Sequence, residues 1–321
     1  MRIAVLSGGR SSEHDVSLRS GASVARGLGE AGHEVVAVTI EREGRWRVDG
    51  APVALTPAGG LLGADAVFPA LHGAFGEDGS VQGLLELLDV PYVGSDVLAS
   101  AACLDKLTLK RLFAEGGIPQ VEFAAAGEAD WRQRCEEMGL PLWVKPSRMG
   151  SSVGIHKVED LADLEAAVGL ARRHDPRVIV EASAEGREVE CSVLGNESPL
   201  TSLPGEIVAN AEWYDFEAKY EEGGMELRVP APISAAESER VRELAAATFA
   251  LAGCSGLARC DFFVEPDGEV LVNEINTMPG FTETSVYAKL LEASGIGYAE
   301  LCDRLVELAV ERHRRARSHQ F

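Results

Sequence analysis

The chain has 321 residues, and 51 acidic against 30 basic side chains leave a formal charge of −21. With 46% apolar and 6% aromatic residues it carries enough hydrophobic material for a large core, which excludes a disordered acidic tail. The length predicts two or three domains. The acidity argues against nucleic acid or an anionic membrane as partner, so an anionic ligand needs its own local cationic site.

The run Ile3 to Leu6 reads as a strand, and the polar Ser7 to Glu13 follow too soon for a secretory signal. A helix around Ser20 to Ala31 and further strands at Val35 to Ile40 and Ala66 to Leu71 give a βαβ rhythm, expected of a parallel sheet covered by helices. Pro91, Gly94 and Ser95 punctuate the chain, placing a domain boundary at 97. Lys106 to Glu115 reads as a helix stopped by Gly116, Gly117 and Pro119. Two β-rich runs between Leu142 and Val158 flank the loop Pro146 to Gly154. Leu161, Leu164, Val168 and Ala171 then mark one helical face, and Val178 to Glu181 and Glu188 to Leu194 read as strands. The domains expected are 1–97, 98–182 and 183–321. Ser234 with Glu237 forms a capping-box pattern, and a last helix runs from about Ala299 into Arg312, with Arg314, Arg315 and Arg317 as its solvated end. No apolar run approaches the roughly 20 residues of a membrane span, and six scattered cysteines suggest neither zinc nor a disulfide framework. A cytoplasmic protein with buried reduced thiols is expected.

Several segments carry candidate chemistry. Lys145 ends a strand just before the small-residue loop 146–154, where backbone N–H groups and an ammonium suit phosphate oxygens; neither a Walker A nor a GxGxxG spacing is present. Arg259 to Val264 and Val270 to Asn276 read as a hairpin turned at Pro266-Asp267-Gly268. The two-residue period puts Arg259 with Asp261, and Glu274 with Asn276, on one face each. Two carboxylates and an amide oxygen so gathered suit Mg²⁺. Asn276 to Thr282 leaves the hairpin through Pro279-Gly280, and Ser285 opens a helix whose free N–H groups suit a carboxylate or an oxyanion. Glu13, after the first strand, either receives an ammonium group or caps the next helix. His72 sits in a second glycine-rich turn, and 212–224 reads as a lid or a surface loop.

In this order the segments GGRSSEHDVS (8–17), HGAFGEDGSVQG (72–83), LDKLTLK (104–110), VKPSRMGSSVG (144–154), EGREVECSVLG (185–195), YDFEAKY (214–220), ARCDF (258–262) and NEINTMPGFT (273–282) closely resemble the D-alanine:D-alanine ligases of the ATP-grasp superfamily, over nearly the whole chain. The resemblance implies an α/β fold of three domains, with ATP held between the central and C-terminal ones, and ligation of two D-alanines through a D-alanyl phosphate for peptidoglycan precursors. It implies Lys106, Lys145 and Lys219 on the phosphates, Glu181 and its backbone at adenine, and Glu188 at the ribose. Asp261, Glu274 and Asn276 would hold Mg²⁺ or Mn²⁺, with two ions expected. Arg259 and the Gly280 N–H would stabilise the oxyanion. Glu13 would hold the first ammonium, linked through Ser151 and Tyr220, and Ser285 with the Val286 N–H would hold the second carboxylate. His72 would sit nearby. A homodimer is expected from the family. Departures are Met149, and the acidic Glu283 before Ser285. Rival readings are D-lactate or D-serine as second substrate, or a nucleotide or amino-acid sensor of the same fold.

Overall fold

The first strand, β1 (Arg2–Gly8), is apolar on both faces, as a central parallel strand must be. The computed structural model, which describes residues 1–150, 153–209 and 225–319, places it in a five-stranded sheet. Its neighbours are β2 (Glu34–Ile40) and β5 (Ala66–Pro69), both parallel to it, and a short hairpin of β3 (Trp46–Val48) and β4 (Ala51–Pro52) extends the β2 side. Ile3 and Val5 face a core shared with helix α1 (His14–Glu30), while Ala4 and Leu6 face α2 (Ser80–Leu88). Helix α1 therefore starts six residues before the expected Ser20: buried Val16 and Ser17 already belong to its inner face.

Two helices follow, α3 (Val97–Leu104) and α4 (Lys106–Glu115), separated by Asp105, whose carboxylate caps α4 through the Thr108 N–H at 3.1 Å. The second sheet is four-stranded and antiparallel, ordered β6 (Phe123–Ala125), β9 (Val178–Ala182), β7 (Leu142–Pro146) and β8 (His156–Val158). Leu142, Val144 and Val180 face α5 (Trp131–Met138) and α6 (Leu164–Ala171) on one side. On the other, Ile179, Ala125 and Phe123 meet Leu107 of α4. Leu161 lies in a single 3₁₀ turn (Leu161–Asp163) before α6 rather than in the helix itself.

The third sheet has six strands: β13 (Met225–Arg228), β12 (Gly205–Ala209), β10 (Arg187–Gly195), β14 (Gly256–Val264) and β15 (Val270–Asn276) in order, with β11 (Leu200–Thr201) on β10. Helix α7 (Ala235–Leu251), opened by the Ser234–Glu237 capping box, covers one face, burying Val241, Leu244 and Phe249 against Cys191, Cys260 and Phe262. Helices α8 (Val286–Ala293) and α9 (Tyr298–Arg317) cover the other. The C-terminal helix also packs on the first sheet, so Ile3, Val5 and Phe68 share one core with Leu194, Leu257 and Leu305. Its basic end is not merely solvated: Arg317 meets Asp89 at 2.6 Å and Arg315 meets Glu197 at 2.5 Å, tying α9 to the end of α2 and the turn after β10. All six cysteines are buried and unpaired.

Candidate active site

Register decides what the third sheet presents. Glu190 pairs with Asp261, and Asp261 with Glu274, so three carboxylates form a row across β10, β14 and β15. The next row is Ser192, Arg259 and Asn276. Like charges set opposite one another on a sheet repel. Arg259 offsets this by reaching back along its strand, donating to both Asp261 oxygens at 2.7 Å and meeting Glu190 at 2.9 Å. Burial disfavours a charged guanidinium, but Asp261 and Glu190 outweigh it and hold Arg259 well above its ordinary pKa. A register shift between Asp261 and Phe262 lets Asn273 be passed over, which brings Glu274 opposite Asp261 and Asn276 opposite Arg259. Sequence alternation foresaw the shared faces but not Glu190, although Glu188, Glu190 and Ser192 follow the same two-residue period.

Among the described residues no cluster of three or more His, Cys, Asp or Glu side chains closes around a point as a ready-made metal cage. Mg²⁺ does not require one, since it commonly takes one or two carboxylates and completes its octahedron with waters and phosphates. Two hard carboxylates and the Asn276 amide oxygen, which also accepts from the Met278 N–H at 3.0 Å, fit that chemistry.

Lys106, at the start of α4, approaches Glu274 at 3.4 Å and donates to the Met149 carbonyl at 3.0 Å, so the phosphate-type loop is fastened to the third sheet through one ammonium. With Glu77, Gly150, Asn276 and Thr277 these two residues line one cleft. On the second sheet Lys145 lies beside Glu181, 2.6 Å from its Oε2, and Lys110, which the motif reading passed over, lies 3.3 Å from its Oε1. Burial alone would push the Glu181 carboxyl up; Lys110 and Lys145 bring it down to about 2. Burial lowers Lys110 despite Glu181, whereas Glu181 and Glu274 outweigh burial and raise Lys145. Glu188 is exposed at the start of β10.

From the first sheet, Glu13 is 7% exposed and makes no side-chain cap to α1, which removes the capping alternative. Its Oε2 lies 2.6 Å from where a Cβ on Gly73 would stand and 3.9 Å from that of Gly150, so it faces both glycine-rich loops. His72 is buried, with Nε2 2.8 Å from Ser20 Oγ, and Nδ1 3.1 Å from the Met278 carbonyl and 3.5 Å from Glu77. Burial opposes its positive charge, but Glu77 and Glu13 raise its pKa. Ser20 in turn accepts the Phe281 N–H at 3.3 Å, so His72 and Ser20 pin the turn that carries Gly280. The Phe281 ring anchors the same turn between Phe68, Tyr287 and Tyr298. Ser285 stands at the start of α8 without capping it; its hydroxyl instead accepts the Thr282 N–H at 2.9 Å, leaving the first turn of α8 uncapped by a side chain. The acidic neighbour Glu283 is held away by Arg26 at 2.8 Å. Ser151, Lys219 and Tyr220 lie outside the described residues.

The sequence profile described as D-ala D-ala ligase C-terminus matches residues 112–307, and that described as D-ala D-ala ligase N-terminus matches residues 2–60 and 54–95. The chain belongs to the D-alanine–D-alanine ligase family. It is 47% identical to the D-alanine–D-alanine ligase of Deinococcus radiodurans, over 97% of this chain and 98% of that one, and 44% identical to that of Solibacter usitatus, over 100% and 99%. Its structure resembles the D-alanine-D-alanine ligase of Coxiella burnetii, with a TM-score of 0.90 at 36% identity over 99% of this chain and 96% of that one. It also resembles a D-Ala:D-Ser ligase of Enterococcus faecalis, with a TM-score of 0.87 at 34% identity over 96% and 99%. The three-sheet α/β arrangement is accordingly the ATP-grasp fold of the D-alanine–D-alanine ligases.

Proposed function

We propose that the protein joins two D-alanines to D-alanyl-D-alanine at the expense of ATP, releasing ADP and phosphate, in the synthesis of peptidoglycan precursors. The observation that carries this reading is the convergence of Lys106, Glu274 and Asn276 in one cleft that also receives the loop after Lys145. Lys106 and Lys145, with Lys219 by resemblance, bind the phosphates; in the free protein their positions are kept by Glu274 and Glu181. The backbone at the end of β9 is left for adenine, since the Glu181 carboxylate is occupied by lysines, and Glu188 is exposed for the ribose. Asp261, Glu274 and Asn276 would hold one or two Mg²⁺ or Mn²⁺ ions, which when bound neutralise charge on the transferring phosphoryl group.

Glu13 fixes the ammonium of the first D-alanine so that its carboxylate oxygen meets the γ-phosphorus, giving an acyl phosphate and ADP. The uncapped start of α8 and Ser285 orient the second D-alanine by its carboxylate, with its amine toward the acyl carbon. Arg259 and the Gly280 N–H stabilise the oxyanion that forms there, and phosphate leaves with the carboxylate oxygen it had gained. Dependence on ATP supports a cytoplasmic location, and among the described residues no helix is long and apolar enough to cross a membrane. The family supports a homodimer, which light scattering would read.

The likeness to a D-Ala:D-Ser ligase keeps D-serine as an alternative second substrate, with D-lactate behind it. Incubation with ATP, Mg²⁺ and D-alanine alone, then with D-serine or D-lactate added, and mass analysis of the products separates these. D-Alanyl-D-alanine as the main product is expected; a mixed product dominating would reassign the second substrate, and no condensation product at all would leave the sensor reading.

A further inference from the structure

The buried ion cluster beneath the nucleotide side of the cleft contains one more cation than phosphate binding requires. Lys110 lies one helical turn after Lys106 in α4, and Leu107 between them packs on Ile179 and Ala125 of the second sheet. The Lys110 side chain is 2% exposed, its ammonium has no aligned hydrogen-bond acceptor among the described residues, and its nearest charge is Glu181 Oε1 at 3.3 Å. An ammonium buried on those terms is costly, and an apolar side chain of similar size would fill the space at lower cost. Lys145, by contrast, keeps 15% exposure while paired with Glu181 Oε2 at 2.6 Å.

The two lysines thus divide along the carboxylate. Of the two, Lys145 is the more exposed, and it can engage a phosphate only by loosening its hold on Glu181. Were Lys145 the sole partner, that movement would leave a carboxylate with 3% exposure uncompensated, a penalty that would weaken ATP binding. We propose that Lys110 is a positioning residue: it is the standing counter-ion of Glu181, holding that carboxylate in place so that the Lys145 ammonium is free to turn toward the nucleotide phosphates. This rests on the assignment of the ATP site above. It places the role of Lys110 in nucleotide affinity, and not in amino-acid binding or the chemical step.

The test is Lys110→Met, with Mg·ATP affinity read by calorimetry and the two Michaelis constants read by dipeptide formation. ATP should bind about tenfold or more weaker, KM for D-alanine should stay within about twofold, and kcat should change by less than about threefold. In a Glu181→Gln background the carboxylate through which Lys110 acts is gone, so adding Lys110→Met there should not weaken ATP binding further, a non-additivity that a general packing role would not produce. The proposal is overturned if Lys110→Met binds ATP as wild type does, if both Michaelis constants rise together, or if the two substitutions add. Should Lys110→Met fail to fold, the Glu181→Gln pair of variants decides alone: a further weakening of ATP binding on adding Lys110→Met overturns it. Because binding is measured separately from turnover, a wild-type protein that binds ATP without making dipeptide would refute the proposed reaction while leaving this test intact, and one that binds no ATP overturns both.

Discussion

Replacing Arg259 by methionine keeps most of the aliphatic stem and deletes the guanidinium between Asp261 and Glu190, which stand directly opposite each other on β14 and β10. Their side chains retain only 14% and 15% exposure, so water can replace the cation only in part. Removing one partner of a buried ion pair costs about 3–5 kcal/mol, and the residual exposure puts this case at the lower end, about 3 kcal/mol. In a chain of this size each kcal/mol lowers Tm by about 2 °C, so the variant should melt about 6 °C below wild type. Differential scanning fluorimetry with and without Mg²⁺ makes the test specific, because a divalent cation held by Asp261 and Glu274, as proposed, would restore part of the missing charge and should narrow the gap. Turnover should fall about 10²- to 10³-fold, the usual cost of losing an oxyanion donor. A variant melting within about 1 °C of wild type, or a gap that Mg²⁺ does not narrow, would refute the reading of these rows as a charge-balanced metal and oxyanion site.

Three further predictions follow the same geometry. Glu274→Gln should lower turnover by about 100-fold or more with the melting curve retained, since it removes charge from the proposed Mg²⁺ set; steady-state rates near wild type would take Glu274 out of that set. Gly73→Ala forces a Cβ to within 2.6 Å of Glu13 Oε2 from a backbone at φ +72°, so KM for D-alanine should rise several-fold while ATP affinity holds, and an unchanged KM would detach Glu13 from the amino-acid site. The Glu181 carboxyl falls from 4.5 to about 2 on folding, so its contribution, on the order of 3 kcal/mol, is present above about pH 4.5 and disappears as pH falls toward 2. Urea titrations of wild type and Glu181→Gln should therefore converge over that interval, and a constant gap would contradict the ion cluster.

Much of the architecture was legible because strong local signals agree with the tertiary structure. The apolar run of β1, the capping box at Ser234 and Glu237, and the Lys106 to Glu115 helix each express a rule that holds within one element. What escaped depends on register and on packing between distant segments. Glu190 becomes part of the acidic row only once β10 is paired with β14, and Lys110 looks like an ordinary helical lysine until α4 is laid across the second sheet. The basic end of α9 read as solvated because Asp89 and Glu197 are more than 100 residues away in sequence. The negative charge is likewise reconciled with a polyanionic nucleotide locally: Lys106, Lys145 and Arg259, with Lys110 buried behind Glu181, are each already balanced by a carboxylate.

The central claim is ligation through an acyl phosphate formed on the carboxylate of the first D-alanine. Its most direct test supplies D-alanine labelled with ¹⁸O in the carboxylate, together with ATP and Mg²⁺, and analyses the released phosphate by mass spectrometry. The mechanism predicts one ¹⁸O atom in each phosphate, matched by one dipeptide formed. Phosphate released without the label, or labelled phosphate without dipeptide, would contradict it.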